Sequence, residues 1–171
     1  MSGAVARQTP TSGTARSDSA TPSGSAPVRI SNPGMAAEGT AVYGLVRVRS
    51  QYSVPETARR LGALIREQGL QIFGDVDFAG DAGRAGVAMR PMRQLVFGNP
   101  RSGTQLVIAA PTLALDLPVR VLVYQDGAGE VWLAYNDPAY LRNRHQLDGG
   151  LFVHLASLPT LVARAVGIDP L

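Results

Sequence analysis

From Leu95 to Leu141 the chain reads LVFGNPRSGTQLVIAAPTLALDLPVRVLVYQDGAGEVWLAYNDPAYL. Three runs in it, around Leu95–Phe97, Val119–Gln125 and Glu130–Tyr135, are short and rich in β-branched and aromatic residues. Each is bounded by a turn signal: Asn99-Pro100, Leu117-Pro118, Asp126-Gly127-Ala128-Gly129 and Asn136-Asp137-Pro138. Runs of this length with such punctuation are strands, and the Asp-Gly-containing loop joins the last two as a hairpin. Two strands joined by so short a loop pair antiparallel, which points to consecutive antiparallel hairpins with helices packed on one face.

The preceding segment adds a strand, a helix and a strand. Val42, Gly44, Val46 and Val48 alternate with Tyr43, Leu45, Arg47 and Arg49, so a strand spans about Val42–Ser50. Ser53 with Glu56 forms a capping box, Pro55 fits the first helical turn, and Val54, Ala58, Leu61 and Ile65 form one apolar stripe up to Gly69. Leu70, Ile72, Val76 and Phe78 then alternate with Gln71, Phe73, Asp75 and Asp77. Ala79–Ala88 reads as a loop with one helical turn at most. A short apolar helix is expected from Thr104 to Ala110, and another turn over Pro111–Leu115. Asn136 or Asp137 caps a helix that starts at Pro138 and closes at His145-Gln146-Leu147. Leu158, Leu161, Val162 and Ala165 mark the last helix, with Ser157 as its cap and Gly167 as its end. The order is β-α-β4-α, an α+β domain with an antiparallel sheet and its helices on one face.

Met1–Ala37 is Ser, Thr, Pro, Gly and Ala with scattered arginines and almost no large apolar side chains. Such a segment cannot bury enough surface to offset ordering entropy, so a disordered tail at 1–37 precedes a single domain at 38–171. The tail holds Arg7, Arg16 and Arg29 against Asp18, which accounts for most of the net charge of +3. The domain itself is close to neutral, so no nucleic-acid partner is expected. Cysteine is absent, which excludes disulfides, thiolate metal sites and cysteine nucleophiles. No apolar run approaches the roughly 18 residues of a membrane span. As written the chain is expected in the cytoplasm, or exported if its true start lies upstream.

Three groups of residues are candidates for a site. Asn99, Arg101, Ser102, Gly103 and Thr104 stand between a strand and a helix, where free N–H groups and an arginine suit a small anionic ligand. As a plain turn, the same residues would bond local backbone. Tyr135, Asn136, Asp137, Tyr140 and His145 form the second group, with Arg144 on the same helix face as Tyr140; Tyr135 and Asn136 are further ligand candidates, and Asp137 and His145 are the pair that acid–base chemistry would use. Asp137 also serves simply as a helix cap. Asp75 and Asp77 share one side of a strand, roughly 7 Å apart by strand rise, which is weak grounds for a metal site. Asp116 suits turn backbone, and His154 lies in an apolar run. No cofactor is named by these residues.

Phe97-Gly98-Asn99-Pro100, Gly103-Thr104, Leu115-Asp116-Leu117-Pro118 and the run from Trp132 to Leu141 carry a resemblance to the domain-of-unknown-function 302 family, uncharacterised bacterial proteins, from Val42 onward. The resemblance implies a TBP-like fold and a homodimer, and it implies no reaction. The family's second strand usually ends in Asp-His, whereas here Phe78 follows Asp77, so no role of that histidine carries over. The expectation is a non-catalytic homodimer that binds a ligand or a partner. The alternative is a small enzyme using Asp137 and His145 on an anionic substrate held by Arg101.

Overall fold

Ser53 begins the first helix as its capping role requires. In the computed structural model, which describes residues 43–149 and 155–168, its hydroxyl accepts from the Glu56 amide at 3.4 Å. Only half of the capping box forms, because the Glu56 carboxylate is drawn to the Arg59 guanidinium at 2.7 and 2.8 Å. Helix α1 runs Val54–Glu67, between strands β1, Leu45–Arg49, and β2, Gln71–Asp77. Then come α2, Phe78–Arg84; β3, Met92–Gly98; α3, Pro100–Ala109; a 3-10 turn, Pro111–Leu115; β4, Val119–Gln125; β5, Val131–Asn136; α4, Pro138–His145; and α5, Leu158–Val166.

The five strands form one antiparallel sheet in the order β1-β5-β4-β3-β2. The chain therefore leaves β1 at one edge, crosses in α1 to β2 at the other edge, and meanders back. Leu95, Phe97, Val121, Val123, Leu133 and Tyr135 point to the face that α1 and α5 cover. Leu61, Ile65, Val162 and Ala165 come from those helices, and none of the four is exposed to solvent. That two-layer core holds the sheet rigid. A smaller apolar group, Leu106, Leu113 and Leu147, ties α3 and the 3-10 turn to the chain after α4. The described residues belong to one compact unit, Thr40–Leu171. The tail at 1–37 and His154 lie outside the described residues.

Several local expectations are corrected. Phe78, expected at the end of the strand, and the residues after it, expected as a loop, form a seven-residue helix, because the Asp77 carboxylate accepts from the Gly80 amide at 2.9 Å and starts it. The helix expected from Thr104 begins at Pro100: Asn99 caps it, its side-chain oxygen 2.9 Å from the Arg101 amide, and proline fits its first position. Of Asn136 and Asp137, it is Asp137 that caps α4. The single alternation expected through β2 breaks at a bulge. Ile72 pairs with Phe97 and Gly74 with Val96, which leaves Phe73 as the extra residue. Ile72 thus faces the helices, while Val76, opposite Gln94, faces away.

Candidate functional site

A cavity of about 570 Å³ opens where α3 meets the sheet end and the start of α5. Its walls are mostly apolar, with Phe73, Phe97, Leu106, Val107, Leu117 and Leu158 among them. The β3–α3 junction supplies most of the polar part of its lining through Asn99, Ser102, Gly103 and Thr104, and Ser157 before α5 adds one more polar residue. Arg101, on the exposed side of the same helical turn, is not in the wall. The polar groups of this junction bond locally. Asn99 caps α3, the Ser102 hydroxyl donates to the Asn99 carbonyl at 3.4 Å, and that of Thr104 to the Pro100 carbonyl at 2.8 Å. The turn chemistry and the cavity lining are thus properties of the same residues. Among the described residues of the wall none is charged, and most are apolar.

The second group is resolved into two separate arrangements. Asp137 caps α4 with its carboxylate 2.9 Å from the Ala139 amide. His145 lies at the other end of that eight-residue helix, about 12 Å away by helical rise. The expected Asp137–His145 pair is not formed. His145 instead donates through Nε2 to Asp116 at 2.6 Å, and its Nδ1 lies 2.9 Å from the Thr112 hydroxyl. The Arg144 guanidinium lies 3.3 Å from the same carboxylate, and the Asn136 side-chain amide donates to it at 3.5 Å. The His145 side chain is 3% exposed and that of Asp116 8%. Asp116 is therefore the hub of a buried polar knot that fastens α4 to the 3-10 turn. A carboxylate so buried is tolerated only because cationic and polar donors surround it.

The other members of the group are placed apart from this knot. Tyr135 points into the main core, where burial, with the charge of Asp137 second, pushes its phenol pKa up. Tyr140 packs edge-on against Tyr43, ring centroids 5.2 Å apart. Asp75 is clasped by Arg93 at 2.6 and 2.9 Å, which raises the arginine pKa, and Asp77 caps α2. Each of these two carboxylates thus has a protein partner.

Two things escaped sequence reasoning. The partner of His145 is 29 residues away with no motif spacing to link them. The far walls of the cavity come from Leu117, Pro118 and Leu158, which read as turn and core residues. The only sequence signal was negative: Asp116 is an acidic residue in an apolar context, Leu115-Asp116-Leu117.

A family model described as "Domain of unknown function DUF302" matches residues 46–153. Among curated proteins, "Fluoride-specific ion channel FluC 1" of Brucella suis biovar 1 (strain 1330) is 45% identical over 104 residues, 61% of this chain and 41% of that one. A protein of the same name from Brucella abortus biovar 1 (strain 9-941) is 45% identical over 104 residues, 38% of its length. The chain thus spans about two fifths of the length of these relatives. Among the described residues no helix is long and apolar enough to cross a membrane. Among solved structures, an uncharacterised conserved protein DUF302 from Bacillus stearothermophilus superposes with a TM-score of 0.60 at 19% identity, over 73% of this chain and 97% of that one. At that identity the likeness is one of fold.

Proposed function

This chain belongs to the DUF302 family of proteins, and on that premise we propose that it is a non-catalytic binding domain that takes a small apolar molecule in the α3 cavity and works as a homodimer. One observation carries the reading. The cavity, at about 570 Å³, falls in the range of roughly 300–1,000 Å³ usual for small-molecule sites. Its lining joins an apolar wall to a few polar groups at Asn99, Ser102 and Thr104. Burial of apolar ligand surface would drive binding, and the polar turn would set its orientation. A ligand with a small anionic end would meet Arg101 outside the wall.

The alternative, a small enzyme with an Asp–His pair, now rests on Asp116 in place of Asp137. Both members are buried and bonded to each other, which favours a structural role. In the Brucella relatives the shared segment makes up about two fifths of chains named as fluoride channels. We propose that the segment is an accessory module beside the ion path, since no described helix here could form one.

Thermal unfolding with a series of straight-chain carboxylates tests the cavity. Saturating decanoate should raise Tm by several degrees, because a ligand at about 100 times its Kd adds roughly 2.7 kcal/mol to the native state. Acetate, which has almost no chain to bury, should leave it unchanged. A flat response along the whole series removes the reading. Light scattering should give twice the chain mass, and a monomer at micromolar concentration removes the dimer.

A further inference from the structure

Two large apolar side chains of the cavity wall stand in water, and a third does so on the 3-10 turn that follows α3. Ile108 is 76% exposed, Leu115 67% and Phe73 47%. Ile108 and Phe73 belong to the cavity wall, and Leu115 lies between the wall residues Ala114 and Leu117. Phe73 is the bulge residue of β2, and a bulge re-aims a side chain that regular pairing would place elsewhere. Its ring comes within 4.0 Å of where a side-chain carbon on Gly98 would stand, with Pro118 beside it. Exposed apolar residues scattered singly mean little; grouped on the rim of an apolar cavity they mark a surface that another apolar phase covers.

The segment that carries Ile108 and Leu115 has charge of one sign, and Asp75, two residues beyond Phe73, is neutralised by Arg93. From Asn99 to Leu115 the chain has no acidic residue, and Asp116 is buried in its knot. Arg101 stands exposed on the first turn of α3. Arg120, also exposed, donates to the Leu115 carbonyl at 2.8 Å, which places its cation beside the backbone of Leu115. Apolar tips flanked by arginines are the chemistry of an interfacial membrane contact. The tips enter the boundary between head groups and acyl chains, and the guanidinium groups stay at the level of anionic head groups.

We propose that the cavity mouth docks on the surface of an anionic lipid bilayer, with Ile108, Leu115 and Phe73 inserted and Arg101 and Arg120 on the head groups. The purpose follows from the proposed function on which the inference rests: an apolar ligand would pass between bilayer and cavity without crossing water. The contact needs no spanning helix, and it presents the open side of the cavity to the acyl layer.

Co-sedimentation of the full chain with vesicles tests the proposal. Vesicles of phosphatidylglycerol and phosphatidylcholine should carry the protein down, and pure phosphatidylcholine should carry down markedly less, by about fivefold for each arginine engaged. The I108D/L115D variant changes two exposed positions and should still unfold cooperatively. It should lose binding by about tenfold or more per residue. R101Q should weaken binding only on the anionic vesicles. Protein left in the supernatant with anionic vesicles overturns the proposal, as does I108D/L115D sedimenting like the unmodified chain. If that variant instead turns a dimer into a monomer with no vesicle binding by either protein, a second copy covers the rim and the bilayer does not. A decanoate shift without vesicle binding removes the docking and leaves the cavity reading standing. Vesicle binding without any ligand shift removes the cavity reading and leaves the docking.

Discussion

Asp116→Ala should destabilise the domain by roughly 3 kcal/mol, read as a lower urea midpoint at unchanged slope. The substitution removes the acceptor of the His145 Nε2 bond, of Arg144 and of the Asn136 amide together. His145 is left in a site where its side chain is only 3% exposed, and an unpartnered buried donor carries most of the cost. His145→Ala in the same background tests the account. With the imidazole gone, the second substitution should add much less than it does alone, because the two residues act through one bond. If the two effects simply add, the bond does not hold α4 to the 3-10 turn. The pair is more informative than either single change, since each alone also leaves space in a packed region.

Gly44→Ala should cost roughly 2–4 kcal/mol and loosen β1 at its start. Gly44 has φ +77°, a region that L side chains avoid. A side-chain carbon there would also stand 2.5 Å from the Tyr140 ring, closer than atoms can approach. The Gly44 carbonyl accepts from the Asp137 amide at 2.9 Å, so the strain would reach the cap of α4. Tyr140→Ala tests the division between the two causes. In that background the clash is gone and only the backbone penalty of about 1 kcal/mol should remain. An equal loss with and without the ring would show that the tyrosine does not constrain Gly44.

Much of this fold was legible because its signals are local. Ser53 and Glu56, Asp137 with Pro138, and Gly167 act through neighbours a few residues away, so their spacing alone announced helix ends. The three strands of the meander were visible by alternation and turn residues. The two errors of boundary have the same origin. Asn99 and Asp77 were read as part of a turn and of a carboxylate pair, when each is a cap that starts a helix. The β2 faces were misread because a bulge leaves no mark in composition: Phe73 looks like any other strand residue.

The candidate site was legible in one half only. The GNPRSGT segment was singled out for its turn chemistry, and four of the five ligand candidates in it do line the cavity. The Asp–His reading paired His145 with Asp137, whereas His145 is bonded to Asp116. Asp137 is eight residues before His145, which invites pairing on paper, yet a helix of that length holds its ends apart. Asp116 approaches from another element, and no periodicity relates the two positions.

What this sequence determined by itself is most of the elements, all but α2, the antiparallel strands and the family, because caps, turns and alternating faces are interactions between near neighbours in the chain. What only the tertiary structure decided is the placement of β1 and β2 at opposite edges, the partner of His145, and the joining of the GNPRSGT turn, Leu117, Pro118 and Leu158 into one cavity with Ile108 and Phe73 at its mouth. Those contacts join residues far apart in sequence. They form because the sheet and the two helices must bury their apolar faces together, and that requirement acts on the whole chain at once.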